Sequence, residues 1–142
     1  MKATLVDAGP LIAFFNEADA HHAWATEQFQ QLRRPLLTNE AVLAEAAHHI
    51  SKAGGEAAWL LDWVSRGVLE IALDLERESA AIATLMRRYG NQRMDLADGC
   101  VVRMAELVED CQVLTVDRDF LVYRRHGRAV IPLLAPFDSP SA

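Results

Sequence analysis

Five short β-branched or apolar runs, "ATLVD", "PLLT", "VLEIA", "QVLTVD" and "AVIPLL", are separated by stretches with helical periodicity. No other feature restricts the fold as much. Parallel strands must be joined by crossovers of a dozen or more residues, and helices are the usual means. The alternation predicts right-handed βαβ units, hence a mostly parallel sheet covered on both faces. With 142 residues, 51% hydrophobic and 24% charged, the chain has enough apolar surface for a substantial core. One α/β domain spanning 1–142 is the expectation, since no repeat, linker or low-complexity segment interrupts it.

The helices have local signals. The first is expected to start after Gly9, with Pro10 in its first turn, where a missing N–H is harmless, and to run through "LIAFFN". A second covers "AHHAWATEQFQQLRR", with Trp24, Phe29 and Leu32 on its apolar side. Thr38 or Asn39 can cap "EAVLAEAAHHI"; Gly54 and Gly55 separate it from "EAAWLLDWVSRG", which Gly67 closes. Helices through "ESAAIATLMRRYG" and "DLADGCVVRMAELVED" precede the strand "QVLTVD", then a last short strand and a proline-rich tail.

A formal net charge of −6 argues against a protein that finds nucleic acid through a general positive field, although a local basic surface remains compatible with it. The arginines gather late in the chain, where they suit either phosphate binding or ordinary ion pairs. No run approaches the roughly 18 apolar residues of a membrane span, and no signal-peptide pattern is present, so a cytoplasmic protein without membrane contact is expected. Cys100 and Cys111 have no metal-knuckle spacing and read as buried thiols.

The acidic residues carry the chemistry. "TLVD" delivers Asp7 and "VLTVD" delivers Asp117 at the ends of two strands, and ligand sites in open parallel sheets gather beyond such ends. Asp95 and Asp98 lie one turn apart at the start of a helix, and Glu45 lies inside another, flanked by Leu43, Ala44, Ala46 and Ala47. Taken singly, each acid has an ordinary explanation as a cap, a turn former or a dipole partner. Together, several carboxylates crowding one edge would repel unless a cation sat among them. Oxygen ligands without His or Cys suit Mg²⁺ or Mn²⁺ rather than zinc, and such an ion suits phosphodiester hydrolysis.

Four blocks, "LVDAGPLIAFFNEADAHH", "LLTNEAVLAEAAHHI", "MDLADGCVVRMAE" and "VLTVDRDFLVYRRHGR", resemble the acidic blocks of PIN-domain ribonucleases, in particular the VapC-type toxins of bacterial toxin–antitoxin pairs. The resemblance implies a three-layer α/β/α sandwich, Mg²⁺- or Mn²⁺-dependent endonucleolytic cleavage of an RNA substrate, a cognate antitoxin and commonly a homodimer. It also implies that Asp7, Glu45, Asp98 and Asp117 are the catalytic, metal-holding acids. Gly99 replaces the alanine usual after the third acid, which bears on helix stability at roughly 1 kcal/mol. Asp95 reads as an auxiliary ligand or simply as the cap of its helix. Thr115, two residues before Asp117, points the same way along the strand and reads as a supporting hydrogen-bonder or a plain β-former. Asp119 is expected to help the following turn. Arg118, Arg124 and Arg125 become candidate RNA-backbone contacts once cleavage is accepted.

His21/His22 and His48/His49 lack the i, i+4 spacing of a helical metal pair and read as surface or capping residues. Trp59 and Trp63 form a bulky stripe, suited to core packing or to anchoring an antitoxin or dimer partner. Among rival functions, an aspartyl-phosphate phosphatase needs a second acid where Gly9 stands, and a receiver domain needs a mid-strand aspartate and a nearby lysine that this chain does not supply. A catalytically silent PIN-like domain, acting only by binding RNA or protein, is the alternative that ligand residues by themselves do not separate from an enzyme.

Overall fold

The computed structural model describes residues 2–139, so the end of the proline-rich tail lies outside the described residues. The expected alternation is present. Strand β1 (Ala3–Val6) leads through helices α1 (Ala8–Phe14) and α2 (His22–Gln31) to β2 (Leu36–Thr38). Helices α3 (Glu40–Lys52) and α4 (Ala58–Ser65) then lead to β3 (Leu69–Ile71). Helices α5 (Leu75–Arg88) and α6 (Leu96–Leu107) return the chain to β4 (Cys111–Leu114). Three two-residue strands follow: β5 (Arg124–Arg125), β6 (Ala129–Val130) and β7 (Leu133–Leu134).

The main sheet is parallel throughout, in the order β3-β2-β1-β4-β7, and helices flank it in a three-layer α/β/α sandwich. The chain steps from β1 outwards to β3, then crosses back to place β4 on the other side of β1. Strand order therefore reverses between β1 and β4, and their carboxyl ends border the crevice where such folds hold ligands. The register Val6↔Leu114 sets Asp7 beside Thr115 just past the last strand pair, and the amide of Asp7 donates to the carbonyl of Leu114 at 3.0 Å.

Two local expectations differ from the structure. Helix α1 begins at Ala8, before Gly9, because the chain turns as soon as it leaves β1 and Asp7 itself occupies the N-cap position. "AVIPLL" is not one strand. Pro132 has no amide to donate and divides it, so β6 pairs antiparallel with β5 while β7 pairs parallel with β4. The Pro132 carbonyl still accepts from Val113 at 2.8 Å, which keeps the sheet edge in place.

The helix signals that placed the acids operate as side-chain caps. Asn39 Oδ1 accepts from the Val42 amide at 3.0 Å, and Asp95 Oδ1 accepts from the Asp98 amide at 2.8 Å. Gly99 lies where α6 packs on α5: a β-carbon there would stand 3.2 Å from both Ile82 Cγ2 and Met86 Cγ. The missing methyl therefore brings the two helices together and does more than lower helix propensity.

The tryptophan stripe of α4 turns inward. Trp63 lies 4.8 Å from Phe14, 4.9 Å from Phe15 and 5.2 Å from Phe29 between ring centroids, and Trp59 stacks on Phe15 at 5.5 Å. This cluster ties α1, α2 and α4 together, while the large apolar side chain that α4 exposes is Leu61. His22 serves the same junction, with Nδ1 2.8 Å from the carbonyl oxygen of Ala13.

Candidate metal centre

Asp7, Asp98 and Asp117 each present a carboxylate oxygen within 4.8 Å of the others. They arrive from three elements: the end of β1, the first turn of α6, and the residue that caps a 3-10 turn at Arg118–Leu121 after β4. The sheet order makes this convergence possible, since β1 and β4 are neighbours at the point of reversal.

Each acid is held by local hydrogen bonds. Thr115 Oγ1 donates to Asp7 Oδ2 at 2.8 Å and accepts from the Asp117 amide at 3.0 Å, so one buried hydroxyl links the acids of two strands. Asp117 Oδ1 accepts from the Asp119 amide at 2.8 Å. Asp119 enters the turn through its backbone, its amide bonded to Asp117 and its carbonyl accepting from Val122 and Tyr123, after the strand has ended. Tyr123 donates its hydroxyl to Asp98 Oδ2 at 2.9 Å.

Burial makes this group electrostatically unfavourable as it stands. Asp7 is pushed up to about 6 and Asp98 to about 8, first by loss of solvent and then by neighbouring carboxylates. The Thr115 hydroxyl pulls Asp7 back down, and Tyr123 does the same for Asp98. Glu45 stands outside the close trio on α3, half-buried. Burial raises it to about 7, with Asp95, Asp7 and Asp117 contributing. The charges acting most strongly on Asp7, Glu45 and Asp98 are those of Asp7, Asp95 and Asp117, with no basic side chain among them. A cluster of oxygen donors short of positive charge fits a hard divalent cation.

Asp95 spends one oxygen on its helix cap, yet it remains close enough to Glu45 to share a hydrogen bond. The three candidate arginines separate. Arg118 follows Asp117 directly and lies exposed, its guanidinium 4.7 Å from the centre of the Phe137 ring. Arg124 Nη1 donates to the carbonyls of Leu121, Val122 and Tyr123. Arg125 does not sit near the acids: its Nη2 donates to the carbonyls of Val108 and Glu109, at the opposite end of α6 from Asp98. Those carbonyls lack helical partners where α6 ends, and an arginine satisfies them.

Tyr123 is the residue that sequence reasoning missed. It is fully buried, with its ring against Tyr89 and Phe120 at 5.1 Å each. The one available signal was a tyrosine within "DFLVYRR", since a buried phenol needs a partner.

The family model of the PIN domain matches residues 4–125. Ribonuclease VapC26 of Mycobacterium tuberculosis (strain ATCC 25618 / H37Rv) is 28% identical over 131 residues, covering 91% of this chain and 93% of that protein.

Proposed function

Since this chain belongs to the PIN-domain family, we propose that it is a metal-dependent endoribonuclease, the toxin of a toxin–antitoxin pair. The observation that carries this reading is the trio Asp7, Asp98 and Asp117, three carboxylate oxygens within 4.8 Å of one another at the switch point of a parallel sheet, with further carboxylates as the strongest charges on Asp7 and Asp98. The likeness to a ribonuclease over 91% of the chain supports RNA as the substrate. The described residues form one domain in this reading.

Asp7, Asp98 and Asp117 would hold Mg²⁺ or Mn²⁺, with Glu45 and Asp95 at the margin. Such an ion supplies Lewis-acid chemistry, polarising a phosphodiester and lowering the pKa of a water. Thr115 keeps Asp7 and Asp117 in mutual register. Glu45, half-buried on α3 beside the trio, would accept a proton at its carboxylate from the attacking water. Arg118, exposed one residue after Asp117, contacts the RNA backbone; Arg124 and Arg125 act on the backbone of their own chain. A cognate antitoxin and a homodimer complete the proposal by analogy with the family.

The test is cleavage of RNA by purified protein. Mg²⁺-dependent cutting that disappears in D7N and in D98N, both still folded by circular dichroism, supports the nuclease. Cutting that persists in EDTA rejects it. RNA binding without any cutting selects the silent binding domain instead.

A further inference from the structure

We propose that Tyr123 is a positioning residue for the metal centre, its hydroxyl fixing Asp98 so that the remaining oxygen lone pairs of that carboxylate face the ion. This rests on the metal reading of the acidic trio. The phenol is completely buried and donates to Asp98 Oδ2 at 2.9 Å. One oxygen of Asp98 is thereby occupied on one side, which sets the rotation of the whole carboxyl group.

The hydroxyl is itself held firmly. The Tyr123 ring meets Tyr89 at 69° and Phe120 at 84°, edge to face in both cases. Behind it, the Tyr89 hydroxyl accepts from the Arg124 amide at 3.0 Å, which pins the chain immediately after Tyr123.

The route of the chain gives this contact a purpose beyond satisfying a phenol. Asp117 and Tyr123 bracket the single 3-10 turn Arg118–Leu121. The Asp117 carbonyl accepts from Phe120 at 3.3 Å, and the Asp119 carbonyl accepts from Val122 at 2.9 Å and from Tyr123 at 3.3 Å. One rigid turn therefore delivers one acid of the trio and the hydroxyl that orients another. Asp7 has the matching arrangement, with Thr115 on its Oδ2. The two most buried acids of the trio each have one oxygen on a buried hydroxyl, and donors of this kind to metal ligands commonly govern affinity.

The experiment titrates Mn²⁺ into metal-free protein by calorimetry. Y123F keeps the ring and removes only the hydroxyl, and its Mn²⁺ affinity should fall about tenfold. T4V removes a buried hydroxyl at the amino end of β1, bonded to Gln112, and should leave affinity unchanged. In a D98N background, Y123F should have no further effect. Equal Mn²⁺ binding by wild type and Y123F, or a loss that persists in D98N, overturns the role of Tyr123 alone. Failure of the wild type to bind Mn²⁺ overturns the metal reading and this inference with it. A readout free of any variant is available by NMR on tyrosine-labelled wild type: the Tyr123 ring signals should shift on saturation with Mg²⁺, and signals that stay in place overturn the proposal.

Discussion

The hydroxyl of Thr115 donates to Asp7 across the β1–β4 pair at 2.8 Å, and it has no exposure to solvent. T115V keeps the shape of the side chain but strands a buried carboxylate oxygen and the Asp117 amide. Stability should fall by about 1–3 kcal/mol in urea unfolding, the usual penalty for unpaired buried groups. Asp7 should titrate above its present value of about 6, because the lost hydrogen bond had favoured the ionised form. T115S should restore both. Carboxyl NMR titration that places Asp7 unchanged in T115V would contradict the assignment.

Raised carboxyl pKa values make the metal-free protein weaker at high pH. Asp7 at about 6, Glu45 at about 7 and Asp98 at about 8 all lie above their unfolded values, so the folded chain binds more protons than the unfolded one. The stabilising protonation is complete below the ordinary carboxyl values near 4 and is lost as pH rises from there to about 8. Thermal melts in EDTA should show Tm falling across that window, and D98N should flatten the fall. Mn²⁺ affinity should rise over the same range, since protons and cation compete for the same oxygens. A metal-free Tm that climbs from pH 6 to 8 would contradict the electrostatic account.

Gly9 and Val116 approach so closely that a β-carbon on residue 9 would collide with Val116 Cγ2. Val116 lies between Thr115 and Asp117, so G9A should displace the segment that carries both. A loss of about 1–3 kcal/mol is expected, typical of overpacking. V116A should relieve it, and G9A/V116A should be more stable than G9A by denaturant melts. Additive losses in the double variant would show that the two positions are not in conflict.

Trp63 touches Phe14, Phe15 and Phe29, so its removal unties α4 from α1 and α2. W63A should destabilise by about 3 kcal/mol, near the lower end for large aromatic truncations because the ring is only partly buried. L61A, on the exposed side of the same helix, should leave urea unfolding unchanged. Similar midpoints for W63A and wild type would place the stripe outside the core.

Much of the site was legible because its signals are local. A carboxylate directly after "TLV" or "VLT", and one inside a helix start, can be read without knowing the fold, since strand ends and first helical turns have defined directions. The parallel sheet was legible for the same reason: strands separated by helix-length segments leave few other connections. The division of "AVIPLL" was also written in Pro132, but which neighbour each half would choose depends on strands distant in sequence. Arg125 illustrates the reverse. It lies eight positions after Asp117 in the chain, yet the hairpin of β5 and β6 carries it to the far end of α6.

By itself the sequence determined the alternation of elements, the caps that start α3 and α6, and the presence of carboxylates just after two strands and in a first helical turn, because each depends on residues a few positions apart. The tertiary structure alone decided that Asp7, Asp98 and Asp117 meet, that Thr115 bridges two of them and that Tyr123 reaches Asp98. The hydrogen bonds among them span up to 108 positions and, like the meeting of the acids, arise from strand order and register, which are settled by packing of the whole core and not by any local preference.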